Sequence, residues 1–145
     1  MTGESDLQKL LSSMRPELNP GRYVFTTVVG SVPSGVTPVV TVAEHEGLSL
    51  VVPLEEADAA GLAYDYVAGW ITLRIHSALG AVGLTAAVSR ELTDAGLSCN
   101  VVAGFHHDHL FVPYQHTDQA VAVLECLMQR SRLNWHGRGP VATTH

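Results

Sequence analysis

Apolar positions recur along the chain with two periods, near 3.6 and 2, and the period assigns each segment to helix or strand. Leu7, Leu10, Leu11 and Met14 share one helical face, with Ser5 as N-cap and Pro16 ending the turn, so residues 6–14 read as a short amphipathic helix. Residues 22–28 are β-branched and aromatic and predict a strand. The loop after it carries Gly30, Pro33, Gly35 and Pro38. Residues 39–43 and 48–52 are apolar runs joined by Glu44-His45-Glu46-Gly47, the polar, Gly-ended chemistry of a hairpin turn, and a short helix over 55–60 ends at Gly61. In residues 70–76, Ile71, Leu73 and Ile75 alternate with Trp70, Thr72, Arg74 and His76, as in a strand with helices on one face. Over 79–95, Leu84, Ala87, Val88, Leu92 and Ala95 follow helical spacing, and Gly96 supplies the stop. Strands over 98–104 and 109–113 flank Phe105-His106-His107-Asp108. Thr117 caps a last helix whose Ala120, Val123, Leu124, Leu127 and Met128 share a face.

The two halves repeat. Leu50-Val51-Val52-Pro53 returns sixty positions later as Leu110-Phe111-Val112-Pro113, each time after a strand and a hairpin turn. The first strands, at Arg22 and Trp70, are only 48 apart, so the second half holds twelve more residues between its first two strands, and these form the 79–95 helix. The second half is β-α-β-β-α and the first β-loop-β-β-α, with 64–67 available as a further short strand. Such units build an α+β fold of antiparallel sheets with helices on one face, the ferredoxin-like plan.

Composition narrows the class. The chain has 145 residues, 46% of them apolar and 15% charged, which excludes a disordered polymer. A net charge of −6 without a basic stripe argues against a nucleic-acid surface. Two cysteines, Cys99 and Cys126, are too few for a disulfide framework and fit a reduced, cytoplasmic protein. The N-terminus lacks the basic and apolar regions of a secretory signal, and the longest uncharged run, 23–43, is broken by glycine and proline, so no membrane span is expected.

The stretch from Ala81 to Val101, with Gly83 at the start of an apolar helix and Gly96-Leu97 leading into a strand, resembles the core of an ACT domain. WITLRIHSALGAVGLTAAVS and GLSCNVVAGFHHDHLFVP carry the match, and the chain, excluding both termini, resembles a family of small bacterial tandem ACT proteins, largely of unknown function. With the repeat, the resemblance implies an N-terminal helix plus a degenerate ACT-like unit over 1–65 and an ACT domain over 66–133, and the absence of any period from Asn134 onward predicts a flexible tail over 134–145. It also implies a regulatory protein without chemistry of its own, binding an amino acid or similar small metabolite between paired domains, as a homodimer. Two departures stand out. Where many ACT domains have Asp-x-Pro-Gly, this chain has Gly80-Ala81-Val82-Gly83; where aspartokinase-type domains have Gly-Ile-Asn, it has Gly96-Leu97-Ser98, with Asn100 two places later.

The candidate ligand residues are therefore Ser77, Ala78, Leu79, Val82, Gly83, Leu84 and Thr85 in the loop entering the helix, with Ser98, Cys99 and Asn100 on the following strand. Backbone N–H groups at a helix start can hold a carboxylate, and glycine admits a close approach. The plainer alternative is that Ser77 caps the helix while Gly80 and Gly83 permit close helix–sheet packing. His106, His107, Asp108 and His109 concentrate metal-ligand types, with His76 or His116 in reserve, and His107 and His109 would point the same way on a strand. Glu44-His45-Glu46 repeats the pattern in milder form, which favours turn chemistry, and no metal or other cofactor is expected. Ser89 and Cys99 lack a nucleophile elbow, and no Gly-rich nucleotide loop is present. Arg74, a charge in an apolar strand, would pair with Asp65 or a carboxylate ligand, or lie on a solvated rim. Trp70, Thr72, Arg74 and His76 form a sheet face without a helix, which a second copy would cover. Two further readings stand beside the regulatory one: a structural dimerisation module with a vestigial pocket, and a His-based metal-binding protein.

Overall fold

The computed structural model describes residues 3–75 and 83–137, except the side chains of 3–6 and 136–137. The elements are α1 (Gly3–Ser13), β1 (Arg15–Val28), β2 (Val40–Glu44), β3 (Gly47–Pro53), α2 (Leu54–Ala59), β4 (Val67–Arg74), α3 (Leu84–Asp94), β5 (Asn100–Ala103), β6 (Asp108–Pro113), a 3-10 turn (Tyr114–His116) and α4 (Thr117–Gly137). The strands form one sheet in the order β2-β3-β1-β4-β6-β5, antiparallel throughout.

The two ferredoxin-like units are joined at their first strands. A complete unit would place a fourth strand beside its first; here β4 lies there for the first unit and β1 for the second. To do both, β1 runs further than the sequence suggests, starting at Arg15. Arg15–Asn19 pairs with Arg74–Trp70, and Tyr23–Val28 pairs with Pro53–Leu48. Between them the register with β4 shifts, four steps from Asn19 to Tyr23 facing two from Trp70 to Ala68. Pro20 and Gly21, at φ +104°, occupy this bulge, a position suited to a residue without an N–H followed by one free to take positive φ. Pro16 does not stop α1 but sits inside β1 opposite Leu73, where β3 does not reach.

Helices cover one face. Ile71, Leu73, Leu110 and Val112 are buried beneath Leu84, Val88 and Leu92 of α3 and Ala120, Leu124 and Leu127 of α4. Leu11 and Met14 join this core, so α1 packs over the second unit. The first unit fills its missing helix with the loop: Val32 and Val36 pack with Leu54 and Ala57 over Val24, Leu50 and Val52. Leu50-Val51-Val52 and Leu110-Phe111-Val112 are buried on both faces, which explains why that motif recurs.

The other face has no helix among the described residues, yet Tyr23, Val51, Ala68 and Phe111 are buried there, shielded by Phe25, Tyr66 and Trp70. The rings close-pack: Trp70 stacks on Phe111 at 6.2 Å, and Tyr23 meets Trp70 edge-on at 5.3 Å. Two local readings differ from expectation. Ser5 lies within the first turn of α1 rather than before it. Thr117 is the first residue of α4, and its hydroxyl donates back to the Tyr114 carbonyl at 2.6 Å. Thr117 also presses on Gly69, where a Cβ would stand 2.3 Å from its Oγ1. The helix itself continues to Gly137, past the start of the expected tail. No described helix is long and apolar enough to cross a membrane.

Candidate functional site

Helix α3 begins on Gly83, in the left-handed region at φ +92°, without a side-chain cap. The glycine makes room for α1, not for the sheet: a Cβ there would stand 3.3 Å from Leu7 Cδ2. Leu84 is buried in the core and Thr85 is exposed. Ser77, Ala78, Leu79 and Val82 lie outside the described residues.

The other candidates enter β5. Ser98 and Asn100 are exposed, while Cys99 between them packs against the helical core, its thiol pushed up to about 11 by burial. Asn100 is paired with Phe111 and therefore faces the helix-free side. Tyr66 lies beside both polar residues: burial raises its phenol pKa, and neighbouring Ser98 and Asn100 oppose that shift. Its hydroxyl is buried within reach of the Ser98 and Asn100 side chains, but neither meets it in good hydrogen-bond geometry. Among the described residues, Gly83 and Ser98 stand at opposite ends of α3. Gly83 opens α3 and Ser98 follows its other end, about 16 Å away for eleven helical residues.

A cleft of about 530 Å³ opens on the first unit, lined by Phe25, Thr26, Thr27, Ser49, Tyr64 and Asp65. Thr26 donates to the Ala63 carbonyl at 2.8 Å and Tyr64 to Asp58 at 2.6 Å. Phe25 meets Tyr66 edge-on at 5.6 Å, so the cleft adjoins the Tyr66 group.

The histidine segment does not converge. His107 precedes β6, with its Nδ1 buried and unbonded, while His109 is committed to the helix-free face. His109 Nδ1 accepts from Trp70 Nε1 at 3.0 Å and lies 3.1 Å from Thr72 Oγ1, which in turn accepts from Asn19 Nδ2 at 2.9 Å. Burial and the nearby His107 lower its pKa, against the pull of Asp108. Among the described residues no three His, Cys, Asp or Glu side chains are grouped to hold a metal ion. Arg74 pairs with Glu17 across β1 and β4 instead of Asp65, and its hydrogen bond holds the Glu17 carboxyl below the ordinary carboxylate value.

Models of the ACT domain match residues 2–69 and 66–126. A Vibrio cholerae protein of unknown function, described as a possible transport protein, is 44% identical over 88% of this chain and all of its own, with a TM-score of 0.80. The chain belongs to the tandem ACT-domain family. An Agrobacterium tumefaciens protein shares the fold at 17% identity and TM-score 0.61, over 79% of this ACT chain and 89% of its own. The ligand-free regulatory subunit of aspartate kinase from Thermus thermophilus shares it at 8% identity and TM-score 0.56, over 77% and 95%. No curated protein matches this ACT protein.

Sequence reasoning missed Tyr66 and the cleft. Both depend on β1 outrunning β4, which the pattern of either strand alone does not encode. The available signal was the aromatic pair Tyr64-x-Tyr66 immediately before an alternating strand.

Proposed function

We propose that this tandem ACT protein is a non-catalytic, cytoplasmic regulatory module that binds an amino acid or a close small-molecule relative. The Tyr66 hydroxyl, buried beside Ser98 and Asn100 without a well-formed hydrogen bond to either, carries this reading, because a buried polar atom poorly bonded within the protein is one that a ligand's polar group can satisfy. The fold shared with a regulatory subunit of aspartate kinase supports it.

The site takes the α3 entry at Gly83–Thr85 from one copy and Ser98–Asn100 from a second. The separation of Gly83 and Ser98 along α3 within one chain supports that division, as does β5, a four-residue strand that among the described residues is bonded only to β6. A thermal-shift screen of the common amino acids tests the reading. A ligand at one hundred times its Kd adds about 2.7 kcal/mol of stability, and Tyr66→Phe, Ser98→Ala or Asn100→Ala should reduce that shift. Light scattering at micromolar concentration should give the mass of a dimer; a monomer overturns the two-copy site.

A further inference from the structure

The helix-free face of the sheet sorts its polar groups by position. Toward the N-terminal end of β1 they are charged or already bonded to one another: Arg74 pairs with Glu17, and Asn19, Thr72, Trp70 and His109 form one hydrogen-bonded chain. Toward the other end stand Tyr66, Ser98 and Asn100, three groups that are uncharged at neutral pH. Ser98 and Asn100 are exposed, and neither meets the buried Tyr66 hydroxyl in good hydrogen-bond geometry. Each of the three side chains can both donate and accept.

Among the described residues, no ionised group bears on this end of the face. Asn100 lies opposite Phe111, and the surrounding positions on the same face are Val102, Pro113, Ala68 and Trp70, none of which carries a charge. Arg74 stands eight residues along the chain from Tyr66, about 26 Å at strand spacing, and Glu44 belongs to β2, five strands from β5, about 24 Å. Both separations exceed the ~8 Å over which exposed charges act on one another in physiological salt. Asp65 adjoins Tyr66 in sequence but lines the cleft beside β1. The Tyr66 phenol responds to burial, Ser98, Cys99 and Asn100, not to any carboxylate or guanidinium, and Cys99, raised to about 11, is a neutral thiol. Phe25 packs edge-on against both Tyr66 and Phe111 at 5.6 Å, so the surroundings are apolar as well as neutral.

We infer, resting on the amino-acid site proposed above, that its ligand carries a neutral side chain that both donates and accepts hydrogen bonds, a carboxamide or a hydroxyl, and that Tyr66, Ser98 and Asn100 read it. A carboxylate or ammonium side chain brought to the same place would lose water without meeting an opposite charge, which costs far more than desolvating a neutral group that finds partners there. An aliphatic side chain would cover the three polar groups without bonding them, and a site built to hydrogen-bond rejects an isostere that lacks the polar group. The ligand's ionised carboxylate is left to the α3 entry at Gly83–Thr85 of the second copy.

Calorimetric titration at pH 7 with matched amino acids tests this specificity: asparagine against aspartate, glutamine against glutamate and threonine against valine, with the other common amino acids completing the panel. The tightest ligand should have a carboxamide or hydroxyl side chain, and its charged or aliphatic match should bind about tenfold more weakly or worse. Tyr66→Phe should weaken the tightest ligand several-fold and leave its match unchanged, so that the ratio between them shrinks. The hydroxyl it removes makes no well-formed bond within the chain, so the variant should keep the parent Tm. Tightest binding by a charged or aliphatic amino acid, or a ratio that Tyr66→Phe leaves intact, overturns the inference while the amino-acid site stands. Failure of every common amino acid to bind overturns both.

Discussion

At the scale of single residues, contacts that sequence alone cannot display decide several outcomes. Gly69 is one of thirteen glycines, yet a methyl group there would collide with Thr117 at the start of α4. Gly69→Ala should cost about 1–3 kcal/mol, measured by urea unfolding, because strand and helix must move apart. His109 makes stability depend on pH. Its folded pKa lies below the ordinary 6.5, so the unfolded chain binds the proton more readily. The stabilisation is complete above 6.5 and is lost as pH falls from there through the folded value. Protonation also turns Nδ1 into a donor and ends its bond from Trp70, so Trp70 fluorescence should change over the same window. His109→Gln should flatten both profiles. Cys99, half-buried and raised to about 11, and exposed Cys126 should differ in native thiol labelling: one fast equivalent at pH 8, two after unfolding.

Among the elements, those with a clean period were legible: β4, α3 and α4 have the apolar faces that Ile71, Leu73, Val88, Leu92 and Leu124 announce, and these residues form the core. The repeated Leu50 and Leu110 motifs located β3 and β6 within a residue or two. What misled was proline. Pro16 read as the end of the first helix, but a strand tolerates proline where one side has no partner, and which strand lies alongside is a tertiary fact. The candidate site was half legible for the same reason: Ser98 and Asn100 are local features of one strand entry, whereas Tyr66 and the cleft depend on how two strands of different units overlap. Helix α1 was found in sequence, though not its place over the second unit. Deleting residues 3–14 removes Leu11 and Met14 from that core and should cost about 3–6 kcal/mol, read as a fall in the urea midpoint.

For the molecule as a whole, the exchange of first strands binds the halves into one sheet. Neither half should fold by itself: residues 1–62 would keep β1 but lose β4 beside it, and Leu11 and Met14 would lose the α3 and α4 surface that buries them. Circular dichroism of the 1–62 fragment should show an unfolded chain; a stable, cooperatively melting fragment contradicts this. The intact protein should melt in a single transition. The pairing of β1 with β4 has a further consequence for assembly. Each first strand does for the other repeat what a neighbouring subunit does in an oligomer, so the covalent link through residues 61–66 acts as a tether that raises one half's local concentration around the other. Cleavage within that segment should leave two pieces that remain associated at high concentration and dissociate on dilution, converting a concentration-independent fold into a bimolecular equilibrium.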